Sequence, residues 1–337
     1  MNRKKEAKRE NGRINEGAVT SGIVSGAWFA RTEACPPSGA AFGSSGRVFG
    51  CENGARNAGG QGVAGENAGH REAHAEADRI GSGAFAGCAK LELVTLPDGI
   101  REIGERAFSG CRCLKQIDFP AGMQVIGKEA FLHCTMLAES VLPPGVVKME
   151  TGAFRHCVHL KRIVLPQALR AIGEEAFAEC ISLRSLCLPG GVEEIGALAF
   201  DFCPLPAGLT ADGENGAFYT EGNCLIRTAD GVLIRGSENS VIPEGGSVRE
   251  IGEAAFSGCG SLREIRIPHG VREIGANAFM YCRALESVII GRDVERIGEG
   301  AFYHCTALRE VRLEGKSRLC EIGDDAFRHC DNLRHFG

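Results

Sequence analysis

The stretch Leu160–Cys180, which reads LKRIVLPQALRAIGEEAFAEC, contains the pattern that determines the fold of this chain. It begins with Leu-x-x-Ile-x-Leu-Pro, continues with an Ile-Gly pair and ends with Ala-Phe-x-x-Cys. The closing phrase recurs along the chain, usually 23 residues after the previous copy. Its ten copies are Ala84–Cys88, Ala107–Cys111, Ala130–Cys134, Ala153–Cys157, Ala176–Cys180, Ala199–Cys203, Ala255–Cys259, Ala278–Cys282, Ala301–Cys305 and Ala326–Cys330. A repeat of roughly 20 to 29 residues with this leucine spacing predicts a solenoid, in which each repeat buries its apolar side against its neighbours.

Each repeat is predicted to form one coil with three parts. Leu-x-x-Ile-x-Leu predicts a short parallel strand on an inner wall, and the following proline ends it because proline has no N–H to donate. Val-x-x-Ile-Gly predicts a second extended piece, whose glycine is expected to adopt a positive φ at the next corner. Glu150 takes the place of this glycine in one repeat. Ala-Phe-x-x-Cys predicts a short helical turn on the outer wall, so the expected fold class is a curved, right-handed solenoid of α/β type.

The apolar residues of the closing phrase are expected to form the core. Its phenylalanines should stack from coil to coil as one spine. They are Phe85, Phe108, Phe131, Phe154, Phe177, Phe200, Phe256, Phe279, Phe302 and Phe327. Its cysteines should point inward, where a thiol packs as a small hydrophobic group and a weak hydrogen-bond donor.

These cysteines could instead form disulfides between coils or bind a metal ion together with histidines. Adjacent coils lie ~4.8 Å apart, which disulfide geometry permits, but parallel side chains are poorly aimed at each other. His133 with Cys134 and His156 with Cys157 would offer two nitrogens and two sulfurs, a ligand set that zinc favours. Because successive residues at a turn face different directions, we expect buried thiols and solvent-facing histidines. The sequence therefore predicts no metal site and no cofactor.

The repetition breaks between Cys203 and Cys259, which are 56 residues apart. Residues 204–247 are predicted to be an irregular insert. Within it, Cys224–Arg227 and Val232–Arg235 flank Thr228–Gly231, which predicts a β-hairpin with Asp-Gly at the turn. The hairpin is either a spacer that joins two sets of repeats or a protruding binding loop.

The segment before the repeats has a different composition. Residues 1–78 contain no leucine and few other large aliphatic residues, and they are rich in Gly, Ala and Asn. Such a segment cannot bury enough apolar surface to offset its ordering entropy. Residues 1–78 are therefore predicted to be disordered, and the solenoid to span residues 79–337. No signal peptide or cell-wall anchoring motif is visible, and one hypothesis is that a misassigned start replaced the natural leader.

The ten copies of LxxIxLPxxVxxIGxxAFxxC, from about Arg79 to Gly337, resemble the BspA-like leucine-rich repeat family of bacterial surface proteins. The resemblance implies a leucine-rich repeat solenoid and a location at the cell surface or among secreted proteins. It also implies an adhesin-like function, in which the concave face binds host, matrix or other cell-surface proteins. The family has no catalytic residues to carry over.

Composition and motifs weigh against other classes of function. The formal net charge is −5, from 38 basic and 43 acidic residues, whereas nucleic-acid binders usually carry a basic face. No run of 18 apolar residues exists that could span a membrane. The chain has no G-x-S-x-G, H-E-x-x-H or phosphate-binding G-x-x-x-x-G-K-S/T motif, so we do not expect an enzyme.

The solvent-facing position of the inner strand, between Ile and Leu of the template, predicts a partner-binding surface. It is apolar in three successive repeats, at Val141, Val164 and Cys187, where a solvated strand would favour polar residues. The flanking charged residues are Lys161, Arg162 and Arg184. An apolar patch with a charged rim is typical of protein interfaces. The competing explanation is the general preference of valine for strands.

A structural or self-assembly role is the alternative function. Residues 333–337 end partway through an inner strand, and no capping repeat is recognisable before residue 79. Open solenoid ends expose strand edges that can pair with another molecule. Self-association through these ends is therefore the second interpretation of the sequence.

Overall fold

The computed structural model describes residues 78–337, which form a β-solenoid of about 11 turns. The predicted solenoid is thereby confirmed. The predicted disorder concerns residues that, apart from Asp78, lie outside the described range. The three parts of each coil stack into three walls. No helix in residues 78–337 is long and apolar enough to cross a membrane.

The Leu-x-x-Ile-x-Leu segments form the inner wall. Its strands are β2 (Leu93–Thr95), β4 (Gln116–Asp118), β6 (Glu139–Val141), β8 (Arg162–Val164), β10 (Leu186–Leu188), β12 (Leu209–Ala211), β17 (Glu264–Ile267), β19 (Ser287–Ile290), β21 (Glu310–Leu313) and β23 (His335–Phe336). Paired strands run parallel, as β2 does with β4 and β17 with β19. Side chains alternate between the two faces of a strand. In β4, for example, Ile117 is buried between the exposed Gln116 and Asp118.

The Val-x-x-Ile-Gly segments form a second wall of two-residue strands. These are β1 (Arg79–Ile80), β3 (Glu102–Ile103), β5 (Val125–Ile126), β7 (Lys148–Met149), β9 (Ala171–Ile172), β11 (Glu194–Ile195), β16 (Glu250–Ile251), β18 (Glu273–Ile274), β20 (Arg296–Ile297) and β22 (Glu321–Ile322). The glycine that follows does not adopt the positive φ expected from the sequence. A Cβ atom at Gly127 would lie 2.4 Å from the carbonyl oxygen of Ile103 in the preceding coil. Glycine is needed there because adjacent coils approach closely.

Glu150 occupies this glycine position in one coil and is held by two donors. Its carboxylate accepts a hydrogen bond from the backbone N–H of Lys128 (3.1 Å) and another from Nζ of Lys148 (3.0 Å). Its own N–H donates to the carbonyl oxygen of Ile126 (2.9 Å), as Gly127 does to Ile103 (2.9 Å). The coil therefore keeps its backbone pairing despite the substitution.

The Ala-Phe-x-x-Cys segments form an outer wall of tight turns rather than the short helical turns that we expected. The residues before Ala and before Cys both adopt a left-handed φ, as Arg106 (54°) and His133 (59°) do. A left-handed residue interrupts a right-handed helical run. Backbone N–H groups instead donate along the stack, as Phe108 does to the carbonyl oxygen of Ala130 (2.8 Å). The outer wall is thus a third hydrogen-bonded ladder.

The core phenylalanines stack in two columns and not in the single spine that we predicted. Neighbouring ring centroids are 5.0–5.9 Å apart from Phe85 to Phe200. They are 4.9–5.0 Å apart from Phe256 to Phe327. Nine of these rings are buried and Phe327 is half-buried. The insert separates the two columns. We call residues 79–211 the first block and residues 232–337 the second block, so that each block includes the insert strand that continues one of its walls, β12 in the first and β15 (Val232–Arg235) in the second.

The ladder cysteines lie inside both blocks and bind the preceding coil. The thiol of Cys157 donates to the carbonyl oxygen of Phe131 (3.2 Å), and that of Cys282 to the carbonyl oxygen of Phe256 (3.1 Å). Burial raises the pKa of the Cys157 thiol to about 12. A small, weakly polar side chain that donates one hydrogen bond suits this position. The eight ladder cysteines from Cys134 to Cys330 are thiols and not half-cystines.

The insert is part of the stack. It contains β13 (Phe218–Glu221), β14 (Cys224–Arg227) and β15 (Val232–Arg235). Strand β14 pairs antiparallel with β15, as the predicted hairpin requires, and also with β13. Strand β15 pairs parallel with β16 and so continues the second wall. Because Cys224, Leu225 and Ile226 are fully buried, the structure favours the spacer interpretation.

A buried arginine joins the two blocks. Arg235 is 1% exposed. Its guanidinium donates to the backbone carbonyl oxygens of Ala254 and Ser257 in the second block (2.9 Å each) and to that of Cys203 in the first block. Beside it, the hydroxyl of Ser257 donates to Asp201, and burial raises the pKa of the Asp201 carboxyl. We call this set of bonds to Arg235 the arginine clamp.

Candidate partner-binding surface

Three of the predicted site residues lie side by side on the solvent face of the inner wall. Val141 on β6 pairs directly with Val164 on β8, and Cys187 lies on β10 in the next coil. Val141 is 66% exposed, Cys187 is exposed and Val164 is half-buried. Because adjacent strands are ~4.8 Å apart, the three coils present one apolar surface, which we call the apolar strip.

Val241 adds an exposed apolar side chain that the sequence analysis did not include. It is 71% exposed. The Val241-Ile-Pro243 sequence repeats the x-Leu-Pro part of the template, so Val241 holds the same coil position as Val141. Its N–H donates to the carbonyl oxygen of Gly222 (2.9 Å), which places the β13–β14 turn beside it. The signal that could have identified it was the restart of the template after the insert.

The strip rests on one unusual core residue. Ser140 holds the position that is Ile117 and Ile163 in the adjoining coils. It is 5% exposed, and within residues 78–337 its hydroxyl has no hydrogen-bond partner. A buried hydroxyl without a partner costs about 1–3 kcal/mol. The coil that carries Val141 therefore has a buried polar cost at a position where its neighbours have an apolar side chain.

The predicted cations around the strip have no anionic partner. Lys161, Arg162 and Arg184 are exposed, and none forms an ion pair with a carboxylate of the residues that the structure describes. Glu139 is the one acidic residue on β6, β8 and β10. The wall around the strip therefore has an excess of positive charge.

On the inner wall of the second block, arginines form ion pairs with glutamates of the same block. Arg266, Ile289 and Arg312 hold the positions that correspond to the strip. Arg266 lies 2.8 Å from Glu314, and Arg312 lies 2.7 Å from Glu310. Exposed ion pairs contribute little to stability, but they leave few charges available to a partner.

A groove opens at the edge of the first block, next to the apolar strip. Its volume is about 480 Å³, and Lys161 and Arg184 both line it. Its apolar lining comes from Ile181, Leu183, Pro204, Pro206 and Ala207. Ile181 is 55% exposed. We call this feature the proline groove.

The histidines that precede ladder cysteines lie outside the core. The rings of His133 and His156 are 4.5 Å apart between centroids, whereas Cys134 and Cys157 are fully buried. Burial, together with the nearby His156, lowers the pKa of His133. In residues 78–337 no group of three or more His, Cys, Asp or Glu side chains is placed to hold a metal ion.

The repeats identify the family of the chain. Residues 78–206 and 236–337 match the BspA type leucine rich repeat region in six copies. These two ranges make up more than half of the chain, so the protein belongs to the BspA-type leucine-rich repeat family. No curated protein matches the chain.

Solved structures of several bacterial proteins are similar to this chain. A leucine-rich repeat protein from Bacteroides ovatus ATCC 8483 is 30% identical, with 76% of this chain and 69% of that chain covered and a TM-score of 0.53. The pneumococcal vaccine antigen PcpA is 20% identical, with 77% and 74% covered and a TM-score of 0.59, and thus shares the fold. A leucine rich cell surface protein from Faecalibacterium prausnitzii A2-165 is 28% identical, with 71% and 77% covered and a TM-score of 0.49.

Proposed function

We propose that this protein is a non-enzymatic, protein-binding scaffold that engages its partner through the inner wall of the first block. The observation that carries this proposal is the apolar strip at Val141, Val164 and Cys187, bordered by cations that form no ion pair within residues 78–337. Ten inner strands spaced ~4.8 Å apart give a wall of roughly 45 Å, enough for a standard protein interface. An exposed apolar patch with a polar rim is the usual composition of such an interface.

The proposed setting is the bacterial surface or the secreted fraction. Membership of the BspA-type family supports this location. In that setting the partner would be a host, matrix or other cell-surface protein, and the scaffold would act as an adhesin. Cell fractionation with an antibody against the repeats tests the location, and recovery of the protein only from the cell interior would refute it.

The test of the binding surface is the double substitution Val141→Arg with Val164→Glu. We expect it to weaken binding to a partner, selected from a panel of purified host matrix proteins, by about 2 kcal/mol, the size of an interface hot spot. The measurement is biolayer interferometry with the full chain. Folding stability should change by less than about 0.5 kcal/mol, because both side chains face away from the core.

The matched control changes the same template positions in the second block, Ile289→Arg with Arg312→Glu. We expect this control to leave binding unchanged. If the strip variant binds normally while it remains folded, the apolar strip reflects only strand propensity. The exposed Val241 beside the β13–β14 turn then becomes the next candidate contact.

Self-assembly is the second candidate function. In the last coil, Ile322 is 47% exposed and Phe336 is 44% exposed, and apolar strand edges can pair with another copy. Sedimentation velocity at increasing concentration tests this alternative. A concentration-dependent dimer that Phe336→Glu abolishes would support it, and a monomer at all concentrations would exclude it.

A further inference from the structure

Lys161 and Arg184 lack the carboxylate partners that equivalent cations have elsewhere in residues 78–337, including Lys115, which lies 2.9 Å from Glu92 in the first block. Lys161 and Arg184 hold the template position that Arg263 and Arg309 hold in the second block. Arg263 and Arg309 both lie within ion-pair distance of Glu286, at 3.8 Å and 3.4 Å. Lys161 and Arg184 have no such carboxylate among the described residues. Two successive coils of the first block therefore present cations that no carboxylate of residues 78–337 neutralises, whereas in the second block Arg334 of the last coil is the cation at this position without an ion pair.

These cations border an apolar pocket and not an open polar face. Both cations line the proline groove, together with Ile181, Leu183, Pro204, Pro206, Ala207 and the polar Ser182. Leu183 is fully buried, whereas Ile181 remains 55% exposed. A groove of about 480 Å³ has room for a large apolar side chain. Burial of Ile181 beneath such a side chain would remove apolar surface from water.

The groove is fixed before any partner arrives. The N–H of Ala207 donates to the carbonyl oxygen of Arg184 (2.8 Å), and that of Arg184 to the carbonyl oxygen of Lys161 (3.2 Å). The Asn239 side chain donates to the carbonyl oxygen of Pro206 (3.2 Å). Both prolines also have a fixed φ. A pre-organised site loses little conformational entropy on binding.

We propose that the proline groove binds an acidic, extended protein segment. One apolar side chain of the segment enters the groove against Ile181 and Pro206, and carboxylates on either side pair with Lys161 and Arg184. From there the segment continues over the apolar strip, since Lys161 directly precedes β8 and Arg184 lies two residues before β10. A polyanionic glycan would satisfy the charges but not the apolar lining. This proposal rests on the proposed function and specifies the chemistry of the partner.

The probe is a short fluorescein-labelled peptide of alternating aspartate and leucine, titrated with the full chain at low salt by fluorescence anisotropy. We expect saturable binding that weakens by about tenfold or more with Lys161→Glu and Arg184→Glu together, because both contacts become repulsive. The matched variant, Arg263→Glu with Arg309→Glu, should change affinity by less than about twofold, since those cations are already neutralised. Thermal melts of both variants verify folding.

Two further probes separate charge from apolar contact. A peptide of alternating asparagine and leucine should bind at least about tenfold more weakly, and so should one of alternating aspartate and serine. The single change Ile181→Ser should reduce the affinity of the aspartate–leucine peptide while leaving that of the aspartate–serine peptide unchanged.

Three outcomes would overturn the proposal. The first is equal loss of binding in both double variants, which indicates unspecific attraction. The second is equal affinity for the serine peptide or for heparin, which indicates a polyanion site. The third is no binding at all. If a matrix partner is lost with Val141→Arg and Val164→Glu but retained with Lys161→Glu and Arg184→Glu, inner-wall binding stands and the acidic segment alone is refuted.

Discussion

The two blocks have cores of the same pattern and differ on the surface of the inner wall. In both blocks, Phe rings stack 4.9–5.9 Å apart and thiols donate to the Phe carbonyl oxygen of the preceding coil. On the inner wall, the first block exposes Val141 with unpaired cations nearby, whereas the second block pairs Arg266 and Arg312 with glutamates. The repeat template fixes what is buried and leaves the solvent face free to vary.

This difference indicates which block would give a partner the larger favourable free energy of binding. Arginines that are already neutralised by their own chain must break those contacts before they can bind another anion. Lys161 and Arg184 of the first block face no such competition among the described residues, and the apolar strip beside them is stabilised by leaving water. Function should therefore be concentrated in the first block, while the second block lengthens and supports it.

The largest expected effect tests whether the two cores are independent. Phe154→Ala should destabilise the first block by ~3–5 kcal/mol, because truncation of a stacked ring opens a core cavity. Phe279→Ala should do the same in the second block. The measurement is hydrogen exchange by mass spectrometry on the full chain. Faster exchange in both blocks after either single change would show one cooperative core instead of two.

The arginine clamp should produce the next largest effect. Arg235→Leu removes the donors to three backbone carbonyl groups, and we expect it to cost about 2–3 kcal/mol. The urea midpoint of at least one block should then fall and the two transitions should lie further apart than in the unchanged chain, because the junction no longer supports the blocks. The control is Arg227→Leu, since Arg227 pairs with the exposed Asp230 at the hairpin turn and should cost less than about 1 kcal/mol. A single, unshifted transition in Arg235→Leu would contradict this support.

A substitution that should stabilise the protein tests the cost of the buried Ser140 hydroxyl beneath the apolar strip. Ser140→Val removes a buried hydroxyl without a partner and restores the apolar residue that Ile265 and Val288 supply in the second block. We expect a gain of about 1–2 kcal/mol in urea unfolding. Ser185→Val on an exposed face two coils further along should change stability by less than about 0.5 kcal/mol. Equal effects from both changes would mean that Ser140 carries no cost.

The smallest effect is the pH dependence of the ladder thiols, which should be alike in both blocks. Burial raises the pKa of Cys157 to about 12, above the value of about 8.5 for an unfolded cysteine. The resulting stabilisation is complete below the unfolded value and is lost as pH rises towards the folded one. At pH 8 the native protein should therefore be alkylated at the exposed Cys187 and not at Cys157 or Cys282. Mass spectrometry of labelled peptides measures this, and native labelling of either buried thiol would contradict it.

The sequence predicted the structural features that recur with the repeat or that depend on a local turn. The period, the inner strands, the inward cysteines and the hairpin of β14 and β15 all follow from spacing that recurs or from local turn chemistry. The position of Val141 beside Val164 also follows, because a parallel register of one repeat places equivalent residues in adjacent coils.

The features that the sequence did not predict depend on contacts between coils. Gly127 is required by the approach of the Ile103 carbonyl group and not by its own φ. Arg235 looks like a surface residue at a strand end, and only the junction reveals its three carbonyl partners. The division of the phenylalanine column has the same origin, since the insert's path through the stack is not encoded by the repeat.

The outer-wall ladder also bears on how such a gene can change. The same backbone groups are joined in successive coils of each block. The Phe N–H donates to the Ala carbonyl oxygen of the next coil, as from Phe108 to Ala130 and from Phe131 to Ala153 (2.8 Å each). In-frame recombination between two repeats would join coils whose donors and acceptors already match. A lineage could therefore lengthen or shorten its wall by unequal crossing-over, and afterwards alter the solvent-facing residues of each new copy without disturbing the fold.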